Sequence, residues 1–169
     1  MESFLSKSST ETLDFATSFA STLKRNDIVL MMGELGSGKT QFVKGVCRCF
    51  GVHDSISSPT FVMLHRYEGR DARNEELLLY HFDLYKVKNE SEILELGYQE
   101  FFQSNGICLV EWGDKLSTLI PRRRIEINFT LGNNESERHL TINRIDDISL
   151  ERSRNIRSIR TLQSEYPRN

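Results

Sequence analysis

The octapeptide Gly33-Glu34-Leu35-Gly36-Ser37-Gly38-Lys39-Thr40 spells a complete G-x-x-x-x-G-K-[ST] loop. Each fixed position meets a separate demand of holding a nucleotide polyphosphate. Glycines accept positive φ and let backbone N–H groups curl around phosphate oxygens with no Cβ in the way. Lys39 brings a mobile charge to the β- and γ-phosphates, and the Thr40 hydroxyl suits magnesium. Two acids stand where a nucleotide hydrolase needs them, at the ends of apolar runs: Asp83 after 77–82 and Glu111 after 107–110. Acids so placed hold the metal ion and position the attacking water. Lys39, Asp83 and Glu111 are the candidate catalytic residues, and Thr40, Asp83 and Glu111 the candidate metal ligands. Spacing leaves open which acid meets magnesium and which acts on water.

Two further clusters have a bland reading beside a functional one. Ser58-Pro59-Thr60 is a loop entering a strand, since Pro59 keeps Ser58 out of helical geometry. It is equally a nucleotide-sensing switch, with a hydroxyl near the γ-phosphate or its metal. Trp112, the only tryptophan, either packs in the interior or walls the site. His65 and His81 have no carboxylate or cysteine at ligand spacing and read as structural or edge residues. Cys47, Cys49 and Cys108 are odd in number and lack a CxxC pair, which argues against a disulfide framework and a zinc site.

The surrounding elements must bring the loop and the two acids together. The apolar run 27–32 reads as a buried strand feeding the loop, and 40–50 as a helix with Phe42, Val43, Val46, Cys47 and Phe50 at helical spacing. A helix N-terminus directly after the glycines favours an anion. A helix is expected at 9–24, capped by Ser9 or Thr10. Strands are expected at 61–67 and 77–82, joined as a hairpin, which implies a mixed sheet. A helix over 90–102 is interrupted by Gly97. Further strands follow at 107–110, 124–129 and 138–142. The fold expected is α/β, a P-loop NTPase-like three-layer sandwich with a mixed, mostly parallel central sheet flanked by helices.

A chain of 169 residues with 38% hydrophobic and 27% charged residues suits one domain with a real core. The domain is placed at 1–148, followed by an Arg-rich tail at 149–169 that reads as a short helix or as disordered. Its charges form a solvated face or touch a polyanion such as RNA. A net charge of -2 gives no general attraction to nucleic acid or to a membrane. No apolar run approaches the ~18 residues of a membrane span. A reducing cytoplasm is the expected location.

The ordered series GELGSGKT, SSPTF at 57–61, YHFDLY at 80–85 and ICLVEWGD at 107–114 resembles the TsaE (YjeE) family. The resemblance runs from about Thr12 to Ile142. It implies a slow, magnesium-dependent ATPase of tRNA threonylcarbamoyladenosine biosynthesis, working with TsaD and TsaB and meeting tRNA through their complex. Carried over by motif, Gly33, Glu34, Leu35, Gly36, Ser37, Gly38, Lys39 and Thr40 form the ATP loop, with Thr40 on Mg2+. Glu111 falls at the metal ligand of the EW motif and Asp83 at the HFDLY aspartate. Ser58, Pro59 and Thr60 lie in the switch, Trp112 borders the nucleotide, and Thr12 lies where the first helix approaches it. Gln41 stands where many members have a second threonine, and Gly113 where a proline often follows EW. A small-molecule kinase is the alternative on the same loop.

Overall fold

A computed structural model describes residues 1–146; the Arg-rich tail lies outside the described residues. The chain runs β1 (Glu2–Ser6), α1 (Ser9–Ala20), β2 (Ile28–Gly33), α2 (Lys39–Cys49), β3 (Leu64–Arg70) and β4 (Glu76–Asp83). Then come α3 (Glu90–Glu95), α4 (Tyr98–Phe102), β5 (Ile107–Glu111), a 3-10 segment (Gly113–Leu119), β6 (Arg124–Leu131) and β7 (Arg138–Ile145). One seven-stranded sheet has the order β1-β7-β6-β2-β5-β4-β3.

The sheet is mixed, as expected, but not mostly parallel. The inner strands β6, β2, β5 and β4 run parallel to one another. The three outer pairings, β1 with β7, β7 with β6 and β4 with β3, are antiparallel. The excess comes from short connections at both edges. Five residues between β3 and β4, and six between β6 and β7, permit only a hairpin, since a parallel return needs a crossover of a dozen or more residues.

Strand alternation divides the apolar residues between two faces. Val29, Met31, Leu77, Leu79, Ile107 and Leu109 join the cluster built with α1 and α2. Ile28, Leu30, Tyr80, Phe82, Cys108 and Val110 join the cluster built with α3, α4 and the 3-10 segment. The same parity sends His81, Asp83 and Glu111 to the α1–α2 face, beneath the helix that follows the glycine loop. Both helical layers therefore cover β2, β4 and β5. Over β6 and β7 the buried residues Ile125, Ile127, Phe129, Leu140 and Ile142 all belong to the α1–α2 side.

The helices begin and end for local reasons. Ser8 caps α1 by accepting from the Glu11 N–H, and Asn89 caps α3 by accepting from the Glu92 N–H. Gly97 adopts φ 69°, which splits the expected 90–102 helix into α3 and α4. Helix α1 stops at Ala20, four residues before the expected end.

Candidate nucleotide site

Buried strand β2 ends at Gly33, whose φ is 140°. A Cβ there would lie 2.4 Å from the Phe129 carbonyl oxygen of β6, so the chain passes its neighbour only because the side chain is absent. The loop closes with the Ser37 N–H on the Glu34 carbonyl at 3.2 Å. Gly38 then caps α2 at φ 101°, which points the helix N-terminus into the hollow that the loop encloses.

Lys39, although the first residue of α2, is buried. Its Nζ donates to the carbonyls of Gly33 at 2.8 Å and Glu34 at 2.9 Å, and to Ser37 Oγ at 3.3 Å. It also lies 4.0 Å from the centroid of the Trp112 ring. Burial pushes the Lys39 ammonium below its usual pKa, against the upward pull of Glu111, Asp83 and Asp114. A cation held at this depth favours an anion that brings charge without water.

The two acids are register partners on adjacent parallel strands, Asp83 opposite Glu111. Glu111 Oε1 accepts from Thr40 Oγ1 at 2.7 Å and contacts His81 Nε2 at 2.9 Å. Asp83 takes a different set. Oδ2 accepts from Thr60 Oγ1 at 2.8 Å and from Ser58 Oγ, while Oδ1 accepts from the Tyr85 N–H at 2.9 Å. Ser58 and Thr60 are themselves 2.7 Å apart. The 58–60 segment is thus tied to one acid and the loop helix to the other.

These residues line a cavity of about 330 Å3. Of the sequence candidates, Leu35, Gly36, Ser37, Gly38, Lys39, Thr40, Ser58, Thr60, Asp83, Glu111 and Trp112 form its wall, with Gln41 and Tyr85. Trp112 sits at φ 60°, its ring 5.1 Å from that of Tyr85, so it walls the hollow rather than filling the core. Gly113 follows without room for a side chain, since a Cβ there would meet that of Leu30 at 2.7 Å.

Gly33, Glu34 and Pro59 stand just outside the wall. Thr12 is buried behind it: its hydroxyl pairs with Ser6 Oγ at 2.8 Å, and its methyl would touch a Cβ on Gly38 at 3.9 Å. A larger hollow of about 650 Å3 lies at the other end of the strands, around Lys24, Arg25, Asp71 and Asn105. It contains none of the candidate residues.

The donor set suits a hard divalent cation such as Mg2+, with a hydroxyl and two carboxylates offering only oxygen. No group of three or more His, Cys, Asp or Glu able to hold a metal occurs among the described residues. A cation here would therefore take its other ligands from phosphate and water, as Mg2+ commonly does. His81 is the residue that sequence spacing hides. It is fully buried and meets a carboxylate thirty positions away, a contact made by strand adjacency rather than by any motif. A buried histidine two residues before a strand-end acid is the signal that could have found it.

The model of the family described as threonylcarbamoyl adenosine biosynthesis protein TsaE matches residues 6–140. A Rickettsia bellii tRNA threonylcarbamoyladenosine biosynthesis protein TsaE is 43% identical over 122 residues, covering 72% of this chain and 81% of that protein. The Treponema pallidum protein of the same name is 33% identical over 134 residues, covering 78% and 95%. The crystal structure of Bacillus subtilis YdiB superposes with a TM-score of 0.71 at 26% identity, covering 91% of this chain and 95% of that one. No described helix is long and apolar enough to cross a membrane.

Proposed function

Because this chain belongs to the TsaE family of threonylcarbamoyladenosine biosynthesis proteins, we propose that it is the magnesium-dependent ATP-binding protein and slow ATPase of that pathway. The observation that carries this reading is the 2.7 Å bond from Thr40 Oγ1 to Glu111 Oε1. It joins the first turn of the loop helix to a strand-end acid, the pairing that a P-loop NTPase uses around its metal.

In this account the loop amides and Lys39 hold the polyphosphate, and Trp112 and Tyr85 border the nucleotide. Thr40 and Glu111 would hold Mg2+, which would supply positive charge to the polyphosphate. Asp83, unbound to Thr40, orients the attacking water and takes up its proton. The switch is built into its partners. When the γ-phosphate draws the hydroxyls of Ser58 and Thr60 away, Asp83 Oδ2 is freed and the 58–60 segment changes position; hydrolysis reverses the exchange. ATP binding and turnover then assemble or reset a threonylcarbamoyl transfer complex with TsaD and TsaB, in the cytoplasm, with tRNA met through that complex.

A P-loop kinase would need an arginine-bearing lid over the phosphates. Arg66 is paired with Glu68, while Arg70 and Arg73 line the hollow at the far end of the strands. Phosphate release from Mg-ATP, followed with and without a panel of small alcohols and nucleosides, tests the choice. Slow release without any acceptor is expected. A phosphorylated acceptor with accelerated ATP consumption would favour the kinase.

A further inference from the structure

We infer that His81 is a positioning residue for Glu111, holding one carboxylate oxygen so that the other is presented for a cation. The inference rests on the magnesium-ATP reading above. His81 stands on β4 opposite Leu109 of β5, two residues before the Asp83–Glu111 pair and on the same face. Its Nε2 lies 2.9 Å from Glu111 Oε1. A carboxylate has no proton to give, so the proton in this contact sits on the histidine, at Nε2.

Nδ1 is buried and has no hydrogen-bond partner among the described residues. An imidazole with an orphaned nitrogen is a poor choice for filling a wholly buried position, where an apolar ring would cost nothing in desolvation. Among the described residues the one polar contact of the His81 side chain is with Glu111, and that contact explains its polarity. Thr40 Oγ1 donates to the same oxygen at 2.7 Å. With two donors on Oε1, rotation of the Glu111 carboxylate is restricted and Oε2 is left for a further partner. Removing partners that orient a metal-binding group typically weakens metal affinity by about 10–100-fold.

Two amide substitutions separate positioning from space filling. In His81→Gln the side-chain N–H reaches as far as Nε2, whereas in His81→Asn it reaches only the unpartnered Nδ1 position. ATP affinity is measured for wild type and both variants in EDTA and across a Mg2+ titration. All three are expected to bind ATP alike in EDTA. The Mg2+ concentration for half-saturation is expected to rise at least ~10-fold in the Asn variant and to return close to wild type in the Gln variant. A wild-type Mg2+ response in the Asn variant would overturn the inference. A wild-type protein with no Mg2+-dependent ATP binding would overturn the functional reading instead. Should either variant fail to fold, long-range 1H–15N spectra of wild-type protein still decide. The ring proton is expected on Nε2, and a proton on Nδ1 with bare Nε2 would overturn the inference independently of nucleotide.

Discussion

Gly45 in the middle of α2 sits where α1 crosses most closely, and Gly45→Ala should destabilise the protein although it improves helix propensity. An added Cβ would lie 2.4 Å from the Leu13 carbonyl oxygen, 2.5 Å from the Ala16 Cβ and 3.1 Å from the Thr17 backbone nitrogen. Ordinary contact needs about 3.5 Å or more between carbons, so the helices must separate by roughly 1 Å. None of the three atoms belongs to a flexible side chain that can swing away. Overpacking of this kind costs about 1–3 kcal/mol, with the upper end appropriate here. Separation also stretches the bond from Thr17 Oγ1 to the Gly45 carbonyl, now 3.1 Å, worth about 1 kcal/mol. Against this, Ala gains about 1 kcal/mol over Gly in a helix interior. The balance is a loss of about 3 kcal/mol, a fall of about 6–12 °C in Tm for a domain of this size. Thermal and urea denaturation of the two proteins measure it. An unchanged or raised Tm would refute the reasoning that the α1–α2 approach depends on this glycine. Since Thr12 of α1 backs Gly38, weaker ATP binding should accompany the loss.

Further expectations concern the site and its surroundings. Trp112 is the only tryptophan and lies over Lys39, so Mg-ATP should change intrinsic fluorescence in wild type and leave it unchanged in Lys39→Ala; an equal response in both would place the nucleotide elsewhere. Asp83→Asn replaces a buried carboxylate with three donors by an amide, and should cost about 2 kcal/mol in urea denaturation and lower ATP turnover at least ~100-fold. The hydrogen bond from Arg25 holds the Asp71 carboxyl below its ordinary value, aided by the Glu75 and Arg73 amides. A depressed folded-state pKa stabilises above the unfolded value and is lost as pH falls through the folded one. Asp71→Asn should therefore destabilise at neutral pH and flatten the acid limb of a Tm-against-pH curve; an unchanged acid limb would contradict that.

What was legible in the chain follows from how local each signal is. The β2–loop–α2 unit is contiguous, and its glycines, lysine and apolar spacing can be read without a partner. The same holds for the strand ends at Asp83 and Glu111 and for the break at Gly97. Strand β1 is not legible, because Glu2–Ser6 is a short edge strand whose pairing with 138–142 comes from the far end of the domain. The 3-10 segment after Trp112 carries no periodicity long enough to read. The allocation of hydroxyls is equally hidden: Thr40 belongs to Glu111, while Ser58 and Thr60 belong to Asp83. Sequence leaves the two acids interchangeable, whereas sheet geometry gives each its own partners. His81 illustrates the same limit, since its polar partner Glu111 lies on another strand.

The central claim is that the glycine-loop cavity binds Mg-ATP in the service of tRNA threonylcarbamoyladenosine synthesis. Its most direct measurement is nucleoside analysis of tRNA from cells depleted of their own copy and supplied with wild type or Lys39→Ala. Wild type is predicted to restore threonylcarbamoyladenosine and Lys39→Ala, at equal abundance, to leave it depleted. Full restoration by Lys39→Ala would contradict the account.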